Sequence, residues 1–208
     1  MEAGLRASFD EGGSLDFTAF RADTRDELAV ASNSGGRSTY HNIGDARRQG
    51  FEASALWPLR GGWKLDFAGT WMQAQYRDAF LACAGSPCPA PSVPIAAGAD
   101  IPGVPQAWMS LGAEWSSEGG WWTRVGARHV GSVLVDSAHP LRADDYTVVD
   151  AEATRRFAFL GAQARAFLRL ENLFDRRYAG SVIVGEANGR YFEPAPGRIL
   201  FAGLDLHW

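Results

Sequence analysis

Asp150 and Glu152 stand two residues apart, the spacing that puts two carboxylates on one face of a β-strand. Carboxyl groups so placed could share acid and base work. Arg124 and Arg128 face them across a plausible hairpin, however, so a ladder of ion pairs is the expected arrangement. The four histidines, His41, His129, His139 and His207, are scattered. No Gly-x-Ser-x-Gly element offers a nucleophile. Cys83 and Cys88 lie in a Pro/Ala/Gly/Ser-rich stretch without the further ligands a metal site needs. They read as a small disulfide loop in an oxidising compartment. These residues predict no enzyme, no metal and no cofactor.

The chain has 208 residues, a net charge of −4 and a pI near 5.6, which argues against a nucleic-acid partner. Gly is abundant at 24, Trp reaches 8, and Lys64 is the single lysine among 20 basic residues, a composition that suits short-turned β structure. No apolar run approaches the roughly 18 residues of a membrane helix. A transmembrane barrel remains open, because every second residue of its strands faces inward and dilutes the hydrophobicity. Met1-Glu2-Ala3-Gly4-Leu5-Arg6 has neither the basic nor the apolar region of a signal peptide. A barrel has to be exported, so a barrel reading makes this chain a piece of a longer protein.

The elements that would hold these residues alternate strictly. Leu200, Ala202, Leu204 and Leu206 share one face of the final stretch; Ile199, Phe201, Gly203, Asp205 and His207 share the other, and Trp208 ends it. Trp63, Leu65, Phe67, Gly69 and Trp71 likewise oppose Lys64, Asp66, Ala68, Thr70 and Met72 in a strand expected over 63–76. Its two Trp, eight residues apart, span about 26 Å along the strand, or roughly 20 Å at barrel tilt, comparable with the apolar band between aromatic girdles. Short turns are expected at 10–13, 58–61, 116–119 and 158–161, and long connections near 29–38, 78–104, 134–143 and 172–197. Short turns at one end and long loops at the other are the pattern of outer-membrane barrels. The spacing predicts an all-β, antiparallel transmembrane barrel, here an incomplete portion of about nine or ten strands. Open edges in lipid are costly, so further strands are expected upstream.

Several stretches resemble the carboxy-terminal barrel of TonB-dependent outer-membrane receptors, in particular ferric-siderophore receptors. They are Asn42 to Glu52 (Asn-Ile-Gly-Asp-Ala-Arg-Arg-Gln-Gly-Phe-Glu), Ile101 to Pro105 (Ile-Pro-Gly-Val-Pro), Leu170 to Tyr178 (Leu-Glu-Asn-Leu-Phe-Asp-Arg-Arg-Tyr), Gly189 to Arg198, and the aromatic-ended last strand. Together they run from about residue 15 to the end in family order. The resemblance implies a 22-stranded barrel plugged by an amino-terminal domain and energised through a TonB box, with residues 1–208 as the carboxy-terminal part of that barrel and plug and TonB box outside it. It implies a ferric siderophore or similar iron chelate as ligand, the TonB complex, the lipid bilayer and the outer-membrane assembly machinery as partners, and the bacterial outer membrane as location.

Such chelates are often anionic and partly aromatic, and a receptor would meet them with Arg and aromatic side chains. Arg176, Arg177, Tyr178, Arg190, Tyr191 and Phe192, in the last long connection, are the candidates. For 172–178 a structural role in starting that loop is the favoured alternative. Arg47 and Arg48 read equally as wall residues facing a plug. Leu204, Leu206 and Trp208 fit the terminal signal that the assembly machinery reads. The competing readings are a passive barrel or adhesin without energy coupling, and an outer-membrane enzyme, for which no nucleophile is evident.

Overall fold

The computed structural model describes all residues other than 10, 11, 35, 36, 84, 86, 87, 89 and 187, and leaves out the side chain of Ser32. Asp10 and Glu11 of the first expected turn, Gly35 and Gly36 of the first long connection, and Pro87 and Pro89 thus lie outside the described residues. In chain order the strands are β1 (Glu2–Ser8), β2 (Ser14–Thr24), β3 (Leu28–Ser34), β4 (Arg37–Asn42), β5 (Ala46–Pro58), β6 (Trp63–Tyr76), β7 (Phe80–Ala82), β8 (Val93–Ile95), β9 (Ala107–Ser116), β10 (Trp121–Val130), β11 (Val133–Leu134), β12 (Arg142–Ala143), β13 (Tyr146–Phe159), β14 (Ala162–Glu171), β15 (Ala179–Val182), β16 (Phe192–Pro194) and β17 (Ile199–His207).

Nine of these form one antiparallel sheet in the order β1-β2-β5-β6-β9-β10-β13-β14-β17. Its residues alternate as the period of two requires. Leu5, Phe17, Ala53, Gly69 and Met109 lie in one row across five strands, on one face. The adjacent row, on the other face, reads Arg6, Asp16, Ser54, Ala68, Ser110 and Arg128. The apolar face is left open: Leu111 is 57% exposed, Val125 51% and Leu204 57%. A wall that stays apolar on its uncovered side suits lipid rather than water.

Aromatic rings line that face at the short-turn end. Phe9 meets Trp57 at 5.3 Å and Trp63 meets Trp115 at 6.4 Å, while the Arg155 guanidinium lies 4.9 Å over Trp121. The Trp115 indole N–H donates to the Gly61 carbonyl at 3.1 Å, giving the ring's polar edge a partner at the rim. Further along, Phe17, Phe51 and Trp71 stack in sequence at 5.8 and 6.1 Å. The turn between β13 and β14 takes two residues, Leu160 (φ 50°) and Gly161 (φ 81°), both left-handed as a tight hairpin of this twist demands.

The opposite face carries a charge ladder near the same end, with partners other than those expected. Glu152 lies directly opposite Arg124 in register, yet it pairs with Arg169 at 2.9 Å. Asp150 lies opposite Gly126 and accepts the Asn172 backbone N–H at 2.8 Å. Arg124 instead reaches across β9 to β6, where it grips both oxygens of Asp66 at 2.6 and 2.8 Å. Lys64 pairs with Glu114 at 2.9 Å and Arg165 with Asp205 at 3.0 Å.

Gly112 makes the long reach possible. It sits between Asp66 and Gly126 in the register, and a Cβ there would collide with the Arg124 guanidinium and the Asp66 carboxylate. Gly112→Ala will therefore part the pair and lower stability by about 1 kcal/mol, the scale of a half-exposed ion pair. The fall should appear in the denaturant midpoint, and Asp66→Asn added to Gly112→Ala should cost nothing more; a full additive loss would show that the pair had survived.

The long connections differ from the irregular loops the sequence suggested. Each folds back as its own two-stranded hairpin: β3–β4, β7–β8, β11–β12 and β15–β16. The return leg read from Thr39 is divided. Residues 37–42 belong to β4 in the outer hairpin, and the sheet resumes only at Ala46, after Gly44 turns the chain at φ 85°.

Candidate functional site

The buried apolar core lies under these four hairpins. Ile43, Tyr76, Ala82 and Ile95 cluster there, flanked by Phe80, Val93 and Ile101. The Tyr76 ring, 2% exposed, meets Phe80 edge-on at 4.8 Å. Val133, Leu134 and Val135 are buried as well, Val135 completely.

Backbone bonds join the hairpins to one another. The Asn33 N–H donates to the Gly185 carbonyl at 3.2 Å, and the Gly185 N–H donates to Val135 at 2.9 Å. Gly103 donates to Leu134 at 2.8 Å, and Ile101 donates to Ala74 of β6 at 2.9 Å. The connections therefore form a cap seated on the sheet.

Beneath the cap is a cavity of about 280 Å³, whose polar lining comes from Glu27, Arg48, Tyr76, Asp136, Glu186 and Tyr191. Arg48, on the inward face of β5, holds both Glu27 oxygens at 2.8 and 3.1 Å. Those hydrogen bonds keep the Glu27 carboxyl below the usual carboxylate range. Asp136 accepts from the Ala138 N–H at 2.7 Å and from the Tyr191 hydroxyl at 3.3 Å, and the His139 Nδ1 stands 3.1 Å from the same outer oxygen. Burial pushes the Tyr191 phenol up, and the Asp136 charge adds to it. Glu186 is 6% exposed. Three carboxylates thus meet one guanidinium. Among the described residues no His/Cys/Asp/Glu group of metal-binding form is found. The arrangement can bind and orient; it presents no nucleophile paired with a base.

A protein-family model described as TonB dependent receptor-like, β-barrel, matches residues 1–173. The chain belongs to the TonB-dependent receptor β-barrel family. Solved structures share the fold. The siderophore receptor PiuA from Acinetobacter baumannii is 21% identical with a TM-score of 0.79, over 100% of this chain and 28% of its own. The ferric-catecholate import receptor Fiu from E. coli K12 is 21% identical with a TM-score of 0.71, over 100% of this chain and 27% of its own. The ferric yersiniabactin uptake receptor FyuA from Yersinia pestis is 22% identical with a TM-score of 0.72, over 98% and 28%. The chain therefore spans under a third of the length of these neighbours.

In this receptor barrel the residues singled out from the sequence are divided among several places. Tyr191 lines the cavity under the cap. Arg176, Arg177, Tyr178 and Phe192 line a second, more open cleft of about 360 Å³ together with Arg142, Asp144 and Asp145. Tyr178 stacks on Tyr146 of β13 at 4.1 Å, which fixes its ring. Arg190 is exposed, its backbone N–H tied to the Asn188 side chain at 2.8 Å, and it lines neither space. Cys83 and Cys88 are bonded to each other, with Cα atoms 5.8 Å apart, and Cys83 borders the cavity. Arg48 faces that cavity, whereas Arg47 pairs with Asp23 at 2.5 Å on the opposite face of β5. Leu204 and Leu206 stand on the apolar face of β17, and Trp208 follows the strand's end, 89% exposed.

Glu27, Tyr76, Asp136 and Glu186 were not among the residues singled out. Their signal was faint: each lies in or beside a connection, outside the stretches that resemble the family.

The start of the last connection is structural. Asn172, at φ 51° and 4% exposed, donates through Nδ2 to the Arg176 carbonyl at 2.9 Å and the Pro196 carbonyl at 3.3 Å, and its Oδ1 accepts the Arg176 N–H at 2.8 Å. Asp175 Oδ1 accepts the Arg198 N–H at 2.9 Å. The two side chains clamp both ends of the excursion from β14 to β17, and Arg176 to Tyr178 are displayed from that clamp.

Proposed function

We propose that the chain is a portion of the barrel of an outer-membrane receptor that imports a ferric siderophore or similar iron chelate, energised through TonB. The observation that carries this reading is the interlocked cap over the inward-facing cavity, on a barrel of this receptor family. A passive pore would gain nothing from closing its mouth with four hydrogen-bonded hairpins. The aromatic rim of Trp57, Trp63, Trp115 and Trp121 lies at the periplasmic face in this reading, and the cap outside the cell. The apolar face of the sheet contacts lipid. Leu204, Leu206 and Trp208 present β17 to the assembly machinery, and Arg176, Arg177, Tyr178, Tyr191 and Phe192 contact the chelate. No bond chemistry is involved.

The test is uptake by cells. Deleting the gene that encodes the complete receptor should abolish accumulation of radioactive iron from its chelate under iron limitation, and removing TonB should abolish it equally. Accumulation that needs the receptor but persists without TonB would instead mark a passive barrel.

A further inference from the structure

Resting on the receptor reading, we propose that the cavity under the cap takes an arm of the chelate bearing a cationic group, an ammonium or guanidinium, which docks between Glu186 and Asp136. The expectation from the sequence was the reverse, an anionic chelate met by arginines. The lining residues point away from that. Of the three carboxylates in the cavity, Glu27 alone has a cationic side chain gripping both oxygens, that of Arg48. Asp136 is met by a backbone N–H, a phenol and an imidazole ring.

Glu186 is the decisive group. It is 6% exposed, it lines the cavity, and the one hydrogen bond its carboxylate accepts among the described residues is a long one of 3.5 Å from the Asn188 N–H. No basic side chain of the described residues stands within ion-pair distance of it. A carboxylate taken this far out of water is stable when a counter-charge approaches it, and the one guanidinium on the described lining, that of Arg48, is engaged by Glu27. The Tyr191 phenol registers the same field: after burial, the charges of Asp136 and Glu186 push it up.

Glu186 is also held in place. Its strand-like bridge to Asn33 and the Gly185 bonds to Asn33 and Val135 fix the backbone on both sides of the cavity. The volume of about 280 Å³ lies just below the range of small-molecule sites, about 300–1,000 Å³, so it suits an arm rather than a whole chelate. Apolar walls from Val30, Ile101 and Val184 suit the methylenes of such an arm. The second cleft, with Arg142, Arg176 and Arg177 against Asp144 and Asp145, lacks this acidic bias.

The experiment uses the complete receptor in detergent and two probes: a linear ferric tris-hydroxamate ending in a free ammonium, and the same chelate with that amine acetylated. The ammonium form should bind at least tenfold more tightly. That ratio should fall towards one in Glu186→Gln and also in Asp136→Asn, each checked for folded mobility on unheated gels. Equal binding of the two chelates by the unmutated receptor, or a ratio unchanged in both variants, overturns the proposal while leaving the receptor reading intact. Binding of neither chelate, where a polyanionic ferric tris-catecholate binds, overturns it as well. Failure of all three chelates to bind overturns the receptor reading with it.

Discussion

Replacing Asn172 by alanine will lower the stability of the folded barrel by about 3–5 kcal/mol, because it removes three side-chain hydrogen bonds and forces a left-handed backbone on a residue that disfavours it. The side chain serves three bonds at once, to the Arg176 N–H, the Arg176 carbonyl and the Pro196 carbonyl, and is itself only 4% exposed. The size of the loss can be divided by further variants. Asn172→Gly restores the φ of 51° without the bonds and should recover about 1 kcal/mol. Asn172→Asp keeps the acceptor for the Arg176 N–H, loses the two donations, and should fall between alanine and the parent. Unfolding of the detergent-solubilised receptor in denaturant, followed by circular dichroism, gives the order directly. A loss below about 1 kcal/mol for alanine would mean that the clamp is redundant with the Asp175 bond to Arg198.

A second large effect is expected from Leu111→Arg. Leu111 stands in register between Phe67 and Ala127 on the open apolar face, 57% exposed. An exposed leucine on a water-soluble sheet could be changed to arginine almost freely. On a barrel wall in lipid the same change costs about 2–4 kcal/mol near the midplane. The control is Thr70→Arg, on the inward face with Glu52 directly opposite, where a cation gains a partner. The expected outcome is reduced folded receptor in the membrane for Leu111→Arg and near-normal levels for Thr70→Arg, measured by heat-modifiable gel mobility. Equal tolerance of the two would remove the apolar face from lipid.

The sheet was legible because a period of two survives in every long strand, and because a one-residue slip would turn the whole apolar row inward. β6 shows this most plainly: the bounds Trp63–Tyr76 follow from its alternation alone. The hairpins of the cap were not legible. β7 and β8 are three residues each, β8 and β16 contain Pro94 and Pro194, and the β3–β4 and β15–β16 pairings are interrupted by register shifts. Strands that short leave no periodic trace, and proline conceals what remains.

Direct opposition misled for a different reason. Glu152 faces Arg124 across one hydrogen-bonded pair, but the glycine at position 112 opened a longer path to Asp66 that register alone does not suggest. The candidate ligand residues were taken together because they are close in sequence. The pairing of β15 with β16 returns Phe192 to the cleft of Tyr178, whereas Tyr191, one residue before it, lines the cavity.

The four hairpins are spliced through main-chain atoms: Asn33 to Gly185, Gly185 to Val135, Gly103 to Leu134. Every non-proline residue carries such donors and acceptors, so this part of the cap's cohesion does not depend on which side chains decorate its inner surface. Under the proposed reading, substitutions at Asp136, Glu186 or Tyr191 would change what the cavity accepts while the main-chain splice of the cap stays the same.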